Sequence, residues 1–418
     1  MEIKREHYIE ELKSRMHNGL IKVITGIRRS GKSYLLFQLF YKELLRQGVR
    51  KDHILLYSME GFENKKYRNP ETLLEEIHSR MIDEGDYYIF LDEVQMLDEF
   101  EEVLNSLLHI SSADIYVTGS NSRFLSKDVI TEFRGRGDEL HIYPFTFKEF
   151  MEVYPGDPAR GWDDYINYGG LPLTLTMDSS QRKVSYLTSL CRETYLKDII
   201  EHNRIRKTQD LEDLIRLLAS SIGSFTNPSK IMDTFQSRYG TKISLNTIKQ
   251  YIDFLSDAFM VNTAHRYDVK GRKYIGSPVK YYFEDLGMRN ALLGFRQVEE
   301  PHLMENVIYN ELRYRGYSVD VGAVRERRKN SDGNYTNTTL EVDFVANQGG
   351  PRIYIQSALS IPDEEKLRQE KASLLALNDS FPKIIIVKDQ INPRYDEDGL
   401  TMISLFDFLL GRAVLPQA

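Results

Sequence analysis

The residues Gly26-Ile27-Arg28-Arg29-Ser30-Gly31-Lys32-Ser33 fit the pattern G-x-x-x-x-G-K-[ST]. Glycines in such a loop let the backbone curl until its N–H groups converge on a phosphate. A helix opening at the lysine adds partial positive charge at the same point. Lys32 has the reach for the β- and γ-phosphates of ATP, and the Ser33 hydroxyl is a ligand for Mg²⁺. On this reading Gly26, Arg28, Arg29, Ser30, Gly31, Lys32, Ser33 and Tyr34 hold the nucleotide. The competing reading is a plain glycine turn with an exposed lysine.

A second element is Tyr88-Ile89-Phe90-Leu91-Asp92-Glu93. A continuous apolar run is the mark of a strand buried on both faces, and ligands of parallel sheets sit at the carboxyl ends of their strands. Asp92 stands there as a metal carboxylate, acting through the ion's water shell, and Glu93 as the base that orients and deprotonates a water. A solvated charge at a strand end is the bland alternative. A third strand, residues 114–118, runs into Gly119-Ser120-Asn121, where Asn121 or Ser120 would sense the γ-phosphate. A turn with local hydrogen bonds competes with that role. Arg134-Gly135-Arg136 follows. Arg136, with Arg134 as second choice, would reach the γ-phosphate of a neighbouring subunit and stabilise transition-state charge; an ordinary ion pair is the alternative.

These residues need a scaffold that presents strand ends. Residues 1–145 alternate short β-type runs (IKVITG, HILLYSM, YYIFLD, DIYVTGS, ELHIYPF) with amphipathic helical ones, which implies an α/β core with a parallel sheet. Residues 146–205 read as a helical lid or connector with a turn at YGGLP. Residues 206–295 carry three helical patterns and a pair of strands around KGRKYIGSP, the layout of a winged helix. Residues 296–418 return to α/β in the order helix, three strands, helix, strand, helix.

The order of P-loop, acidic strand end, polar strand end and arginine-bearing loop resembles the AAA+ superfamily. More narrowly, the chain resembles bacterial and archaeal AAA-type ATPases with a C-terminal domain of unknown function. The motifs ITGIRRSGKS, FLDEVQ, TGSNS, YPFTFKEF, YGGLP, TYLKDII, YDVKGRK, KYYFEDLGMRNALLG, ENVIYNELRYRGY, EVDFVA and IYIQSALS carry that likeness over nearly the whole chain. The resemblance implies an AAA-type core, a winged helix and a degenerate restriction-nuclease-like end, and supplies no substrate.

A winged helix offers its third helix to a DNA major groove and its wing to phosphates. Here the third helix, residues 245–257, carries Lys249 against Asp253 and Asp257, a poor electrostatic footprint. The wing is better supplied, with Arg266, Lys270, Arg272, Lys273 and Lys280 against Asp268, and Arg204, Arg206 and Lys207 lie upstream. DNA and protein partners are both open on this reading. In the last region Glu305 and Asp343 stand where the metal-binding acids of a restriction-type nuclease belong. The expected Glu-x-Lys has become Gln356-Ser357-Ala358, so the fold is expected without cleavage. Glu311, Glu326 or Asp363 remain as substitutes that sequence does not place.

The chain of 418 residues has net charge -7, 41% apolar residues and one cysteine. This excludes a uniformly basic surface, an internal disulfide and a cysteine-cluster zinc site. The N-terminal MEIKREHYIEEL has no apolar core of signal-peptide length, and the longest apolar runs, such as IIIV at 384–387, are too short to span a bilayer. A cytoplasmic protein without membrane contact is expected. The leading functional reading is Mg-dependent ATP hydrolysis in a homo-oligomer, driving rearrangement of the C-terminal regions. The alternatives are a slow-hydrolysing ATP-gated binding switch and, third, an ATP-coupled endonuclease.

Overall fold

The computed structural model describes residues 3–119, 135–329, 335–350, 352–389, 391, 393–413 and 415. The chain divides into two compact units, one comprising residues up to Pro144 together with Asp257–Phe259, the other Phe145–Ser256 and Met260–Ala418.

The first unit is built on five strands, β1 (Ile21–Thr25), β2 (Ile54–Ser58), β3 (Tyr87–Asp92), β4 (Ala113–Thr118) and β5 (Gly137–His141). They form one sheet in the order β2-β3-β4-β1-β5, and every pairing is parallel. Parallel strands need helical crossovers, so both faces are covered, and this is why β1 and β3 are buried at every residue. One face packs Val23, Leu55, Ile89, Leu91 and Val117 against Leu73, Ile77, Val103, Leu104 and Leu107 of the helices Pro70–Arg80 and Phe100–Leu108. On the other, Phe40 stacks on Phe90 at 5.8 Å and meets Tyr116 at 5.2 Å. Register brings Ile24 level with Thr118, and Ser58 level with Asp92, so the carboxyl ends of β1 to β4 form one edge. A buried ion pair, Lys22 with Asp114, lies inside this sheet, and Tyr116 Oη donates to Asp114 Oδ2 at 2.7 Å. A buried charge persists only when paired and hydrogen-bonded in this way.

The second unit begins with the helix Phe147–Met151, entered through a capping box of Thr146 and Glu149. The helix Pro158–Tyr168 ends in Gly169-Gly170. A Cβ on Gly170 would lie 2.2 Å from Phe145 O, and one on Gly287 2.2 Å from Tyr168 O. The YGGLP and FEDLGMRN motifs therefore meet at Tyr168 and Gly287, and YGGLP also closes on the Phe145 carbonyl. Asp285 ties the two motifs together by accepting from Gly170 N at 2.8 Å and Met288 N at 2.9 Å. The neighbouring Asn290 donates to Ile166 O at 2.8 Å, and fully buried Arg289 to Ala219 O at 2.8 Å.

The three expected helices follow at Thr208–Ser220, Pro228–Thr234 and Leu245–Asp257, with Gly240 in the left-handed region between the last two. The hairpin β6 (Val261–Asp268) and β7 (Lys273–Phe283) comes next. It does not stand alone. β6 pairs in parallel with β8 (Ser318–Lys329), so the hairpin extends a sheet made by β9 (Tyr335–Asn347), β10 (Arg352–Ala358), β11 (Lys383–Val387), β12 (Arg394–Tyr395) and β13 (Thr401–Ser404). The order is β12-β13-β11-β10-β9-β8-β6-β7. The sequence pattern did not reveal β12 and β13, which are short. No helix among the described residues is long and apolar enough to cross a membrane.

Burial pushes the Asp285 carboxyl up from its ordinary 3.8 to about 6, against the pull of the Met288 and Gly170 N–H groups. A raised folded-state value means that the folded chain holds this proton more tightly than the unfolded one. The resulting stability is complete below the unfolded value and is lost as pH rises through about 6. The unfolding free energy of the wild type minus that of Asp285→Asn should therefore shrink between pH 4 and 6, by at most about 1.4 kcal/mol per pH unit. Denaturant titrations at several pH values check this, and a constant difference would show that Asp285 titrates normally.

Candidate functional site

The loop after β1 leaves the sheet in a shape most residues resist. Gly26 has φ 138°, Arg29 68° and Gly31 99°. A Cβ on Gly26 would lie 2.2 Å from Ile142 O, so glycine is required there by space as well as by φ. Lys32 is 5% exposed and turns back over the loop, donating to Gly26 O at 2.9 Å and Ile27 O at 3.2 Å. Ser30 is buried, while Arg29, Ser33 and Tyr34 are exposed. Half-buried Arg28 lies 3.9 Å from Glu60.

The edge formed by β1, β3 and β4 brings the next residues together. Ser33 Oγ donates to Asp92 Oδ1 at 2.8 Å, and Thr118 Oγ1 donates to the same oxygen at 2.6 Å. The Glu93 N–H donates to Thr118 Oγ1 at 2.9 Å. Glu93 itself has φ 54°, a left-handed conformation that costs energy for a residue with a Cβ and recurs at functional positions. Burial raises its carboxyl above the usual range, Lys32 pulls it down, and Gln95 donates to it. A hydroxyl and a carboxylate side by side under a lysine-bearing loop are a hard-oxygen donor pair. That donor set would suit a Mg²⁺ ion, and Ser33 and Asp92 are the residues that would hold it.

Thr118 was missed by sequence reading. Its signal was a polar residue closing an apolar strand, two residues before Ser120 and three before Asn121. Both of these, and Arg134, lie outside the described residues. Arg136 is exposed, and its carbonyl accepts from Ile21 N at 2.9 Å. Arg5 carried no motif signal at all. It is 4% exposed and donates to Ser30 O at 2.9 Å and Tyr143 O at 2.7 Å, tying the helix Glu6–Ser14 to the loop.

A second constellation lies in the other unit. Carboxylate oxygens of Glu305, Glu341 and Asp343 all fall within 4.8 Å of one another. Glu305 and Asp343 were expected together; Glu341, two residues before Asp343 on the same face of β9, was not. Lys280 was expected on the wing surface and is not there. It is 3% exposed, its Nζ is 2.7 Å from Glu305 Oε1, and it also pairs with Glu341. Nor is Arg266 free on the wing, since its guanidinium lies 5.0 Å from the centre of the Phe225 ring. Ser357 N and Oγ donate to Asp343 Oδ2 at 2.8 and 2.7 Å. Gln356 Oε1 accepts from Ser373 Oγ at 3.3 Å, and Ala358 is buried. Burial pushes Glu305 up to about 7 against the pull of Lys280, with Asp343 adding to the rise. Of the substitutes considered, Glu311 binds Arg315 at 2.7 Å, Asp363 caps the helix Glu364–Leu375, and Glu326 is half-buried on β8.

Residues 18–151 match the family described as an AAA domain, and residues 159–299 match a domain of unknown function (DUF8612). An uncharacterized protein of Methanocaldococcus jannaschii is 27% identical over 93% of this chain and 85% of its own length. Among solved structures, the Aeropyrum pernix ORC1 protein in complex with DNA aligns at 15% identity and a TM-score of 0.30, covering 72% of this chain and 94% of that one. An uncharacterized protein of Haemophilus influenzae is 32% identical over 98% of this chain and 98% of its own. The chain belongs to the family of this Haemophilus influenzae protein, with an AAA domain at its N-terminal end.

Proposed function

We propose that the AAA domain binds ATP with Mg²⁺ and hydrolyses it, and that turnover drives a rearrangement of the regions after residue 145. The observation that carries this reading is the meeting of Ser33, Asp92 and Thr118 on one carboxylate oxygen, with Glu93 held next to it. Lys32 supplies charge for the phosphates, and the loop N–H groups supply donors. The water oxygen bonds to the γ-phosphorus as the bond to the β-phosphate oxygen breaks, and Glu93 takes the water's proton. A carboxyl raised by burial is a better proton acceptor near neutrality than an ordinary one.

The roles separate by substitution. Lys32→Ala should weaken ATP binding by on the order of a hundredfold, because charge-assisted contacts to phosphate are lost. Glu93→Gln should keep binding and lose turnover by about 10²- to 10⁴-fold. Thr118→Val keeps shape but removes the donor to Asp92 and the acceptor for Glu93, and should cost roughly tenfold in turnover. Titration calorimetry with ATP and single-turnover hydrolysis measure all three; wild-type turnover in Glu93→Gln would remove the assignment.

Arg136 is exposed, as a residue acting on a neighbouring copy must be. We assign it as a finger in trans within a homo-oligomer. Arg136→Ala subunits mixed with Glu93→Gln subunits should then regain activity that neither has alone. A concentration-independent rate from a monodisperse monomer would rule out the trans role.

The wing turn presents exposed Lys270, Arg272 and Lys273 as a surface for DNA phosphates. Cleavage is absent in this reading, because Gln356 and Ala358 stand where a carboxylate and a lysine are needed. Plasmid DNA should bind without nicking in Mg²⁺ or Mn²⁺, and Arg272→Ala/Lys273→Ala should weaken binding and flatten its salt dependence. Unchanged retention in a filter assay would point instead to a protein partner.

A further inference from the structure

The acidic cluster of the second unit already contains a cation. Lys280 reaches it from β7, a strand of the hairpin, while Glu305 comes from the helix Glu300–Tyr314 and Glu341 and Asp343 from β9. The ammonium lies 2.7 Å from Glu305 Oε1 and also pairs with Glu341. The Phe225 ring stands 5.4 Å from the same nitrogen. Two further residues donate into the cluster. Tyr282 Oη donates to the same Glu305 Oε1 that Lys280 holds, and Ser357 donates twice to Asp343 Oδ2.

We propose that the Lys280 ammonium takes the place of a divalent metal in this cluster and closes it to metal. This deepens the non-cleaving reading above and rests on it only for context. A hard divalent ion needs the same carboxylate oxygens that Lys280 holds, and ligand charge sets its affinity. An ion entering beside the ammonium would meet like charge in a buried setting, where solvent screens little. Lysine also does here what a metal does in many small sites. It joins three elements distant in sequence, the hairpin, the helix Glu300–Tyr314 and β9, at one point.

The test is Mn²⁺ binding to the full chain, followed by titration calorimetry and by the electron paramagnetic resonance of the free ion. The wild type should show no bound Mn²⁺ that Asp343→Asn removes, whatever the nucleotide site contributes. Lys280→Met, close in shape and without charge, should gain one Mn²⁺ per chain at least tenfold tighter than the wild type, and Lys280→Met/Asp343→Asn should lose it. Wild-type binding that Asp343→Asn abolishes would overturn the proposal, as would a folded Lys280→Met that gains nothing. If Lys280→Met does not fold without metal, recovery of a cooperative unfolding transition in Mn²⁺ supports the proposal, and failure to recover overturns it. Plasmid nicking is scored separately. Nicking lost in Asp343→Asn defeats the non-cleaving reading, whereas a folded Lys280→Met without bound Mn²⁺ defeats this inference alone.

Discussion

One oxygen of Asp92 accepts from Ser33 and Thr118 together, and the candidate site depends on that convergence. It requires the ends of β3 and β4, and the helical turn that begins after the loop from β1, to come level to within a hydrogen bond. A parallel sheet with helical crossovers presents the carboxyl ends of its strands along one edge in this way. Strained backbone is present at the same edge. Arg29 and Glu93 both sit in left-handed backbone, and Gly26 passes too close to Ile142 O for any side chain. The buried sheet beneath is what holds these positions, because the cost of each is small against that of disturbing the packed strands.

The same sheet tolerates an ion pair at its centre. Lys22 and Asp114 are both nearly inaccessible, and Tyr116 and the His17 N–H complete the acceptor shell of Asp114. Removing one partner would leave a buried charge exposed to an apolar surrounding, which is the expensive case. The second unit solves a comparable problem twice. Asp285 is satisfied by backbone N–H groups at a crossing of glycines, and Lys280 is satisfied by carboxylates. In each case the polar group joins segments far apart in sequence, and its burial makes the junction specific.

Family motifs without evident chemistry acquire a physical reason here. YGGLP and FEDLGMRN meet where Gly287 admits no Cβ against the Tyr168 carbonyl, and the junction is tied by Asp285 to Gly170 N and by Asn290 to Ile166 O. The EVDFVA motif supplies Glu341 and Asp343 to the cluster that Lys280 enters.

Much of this is legible in the sequence. The alternation of apolar runs with helical patterns dictated a parallel sheet, because a strand buried on both faces has no polar alternation. The spacing from Gly26 to Ser33 and the end of the run at Asp92-Glu93 pointed to the candidate site, because a loop and a strand end are local features that a short window contains. Three helices and a hairpin were equally local. What only the tertiary structure decided was which residues meet across strands. Thr118 touches Asp92 because β3 and β4 pair in that register. Arg5 reaches the Ser30 carbonyl from a helix with no motif. Lys280 points into a carboxylate cluster rather than out from a wing, because β6 joins β8 and the hairpin becomes part of a larger sheet. Alternation along a strand tells which faces are apolar, but the partner of a buried charge is set by sheet order and register, and these are sums over the whole fold.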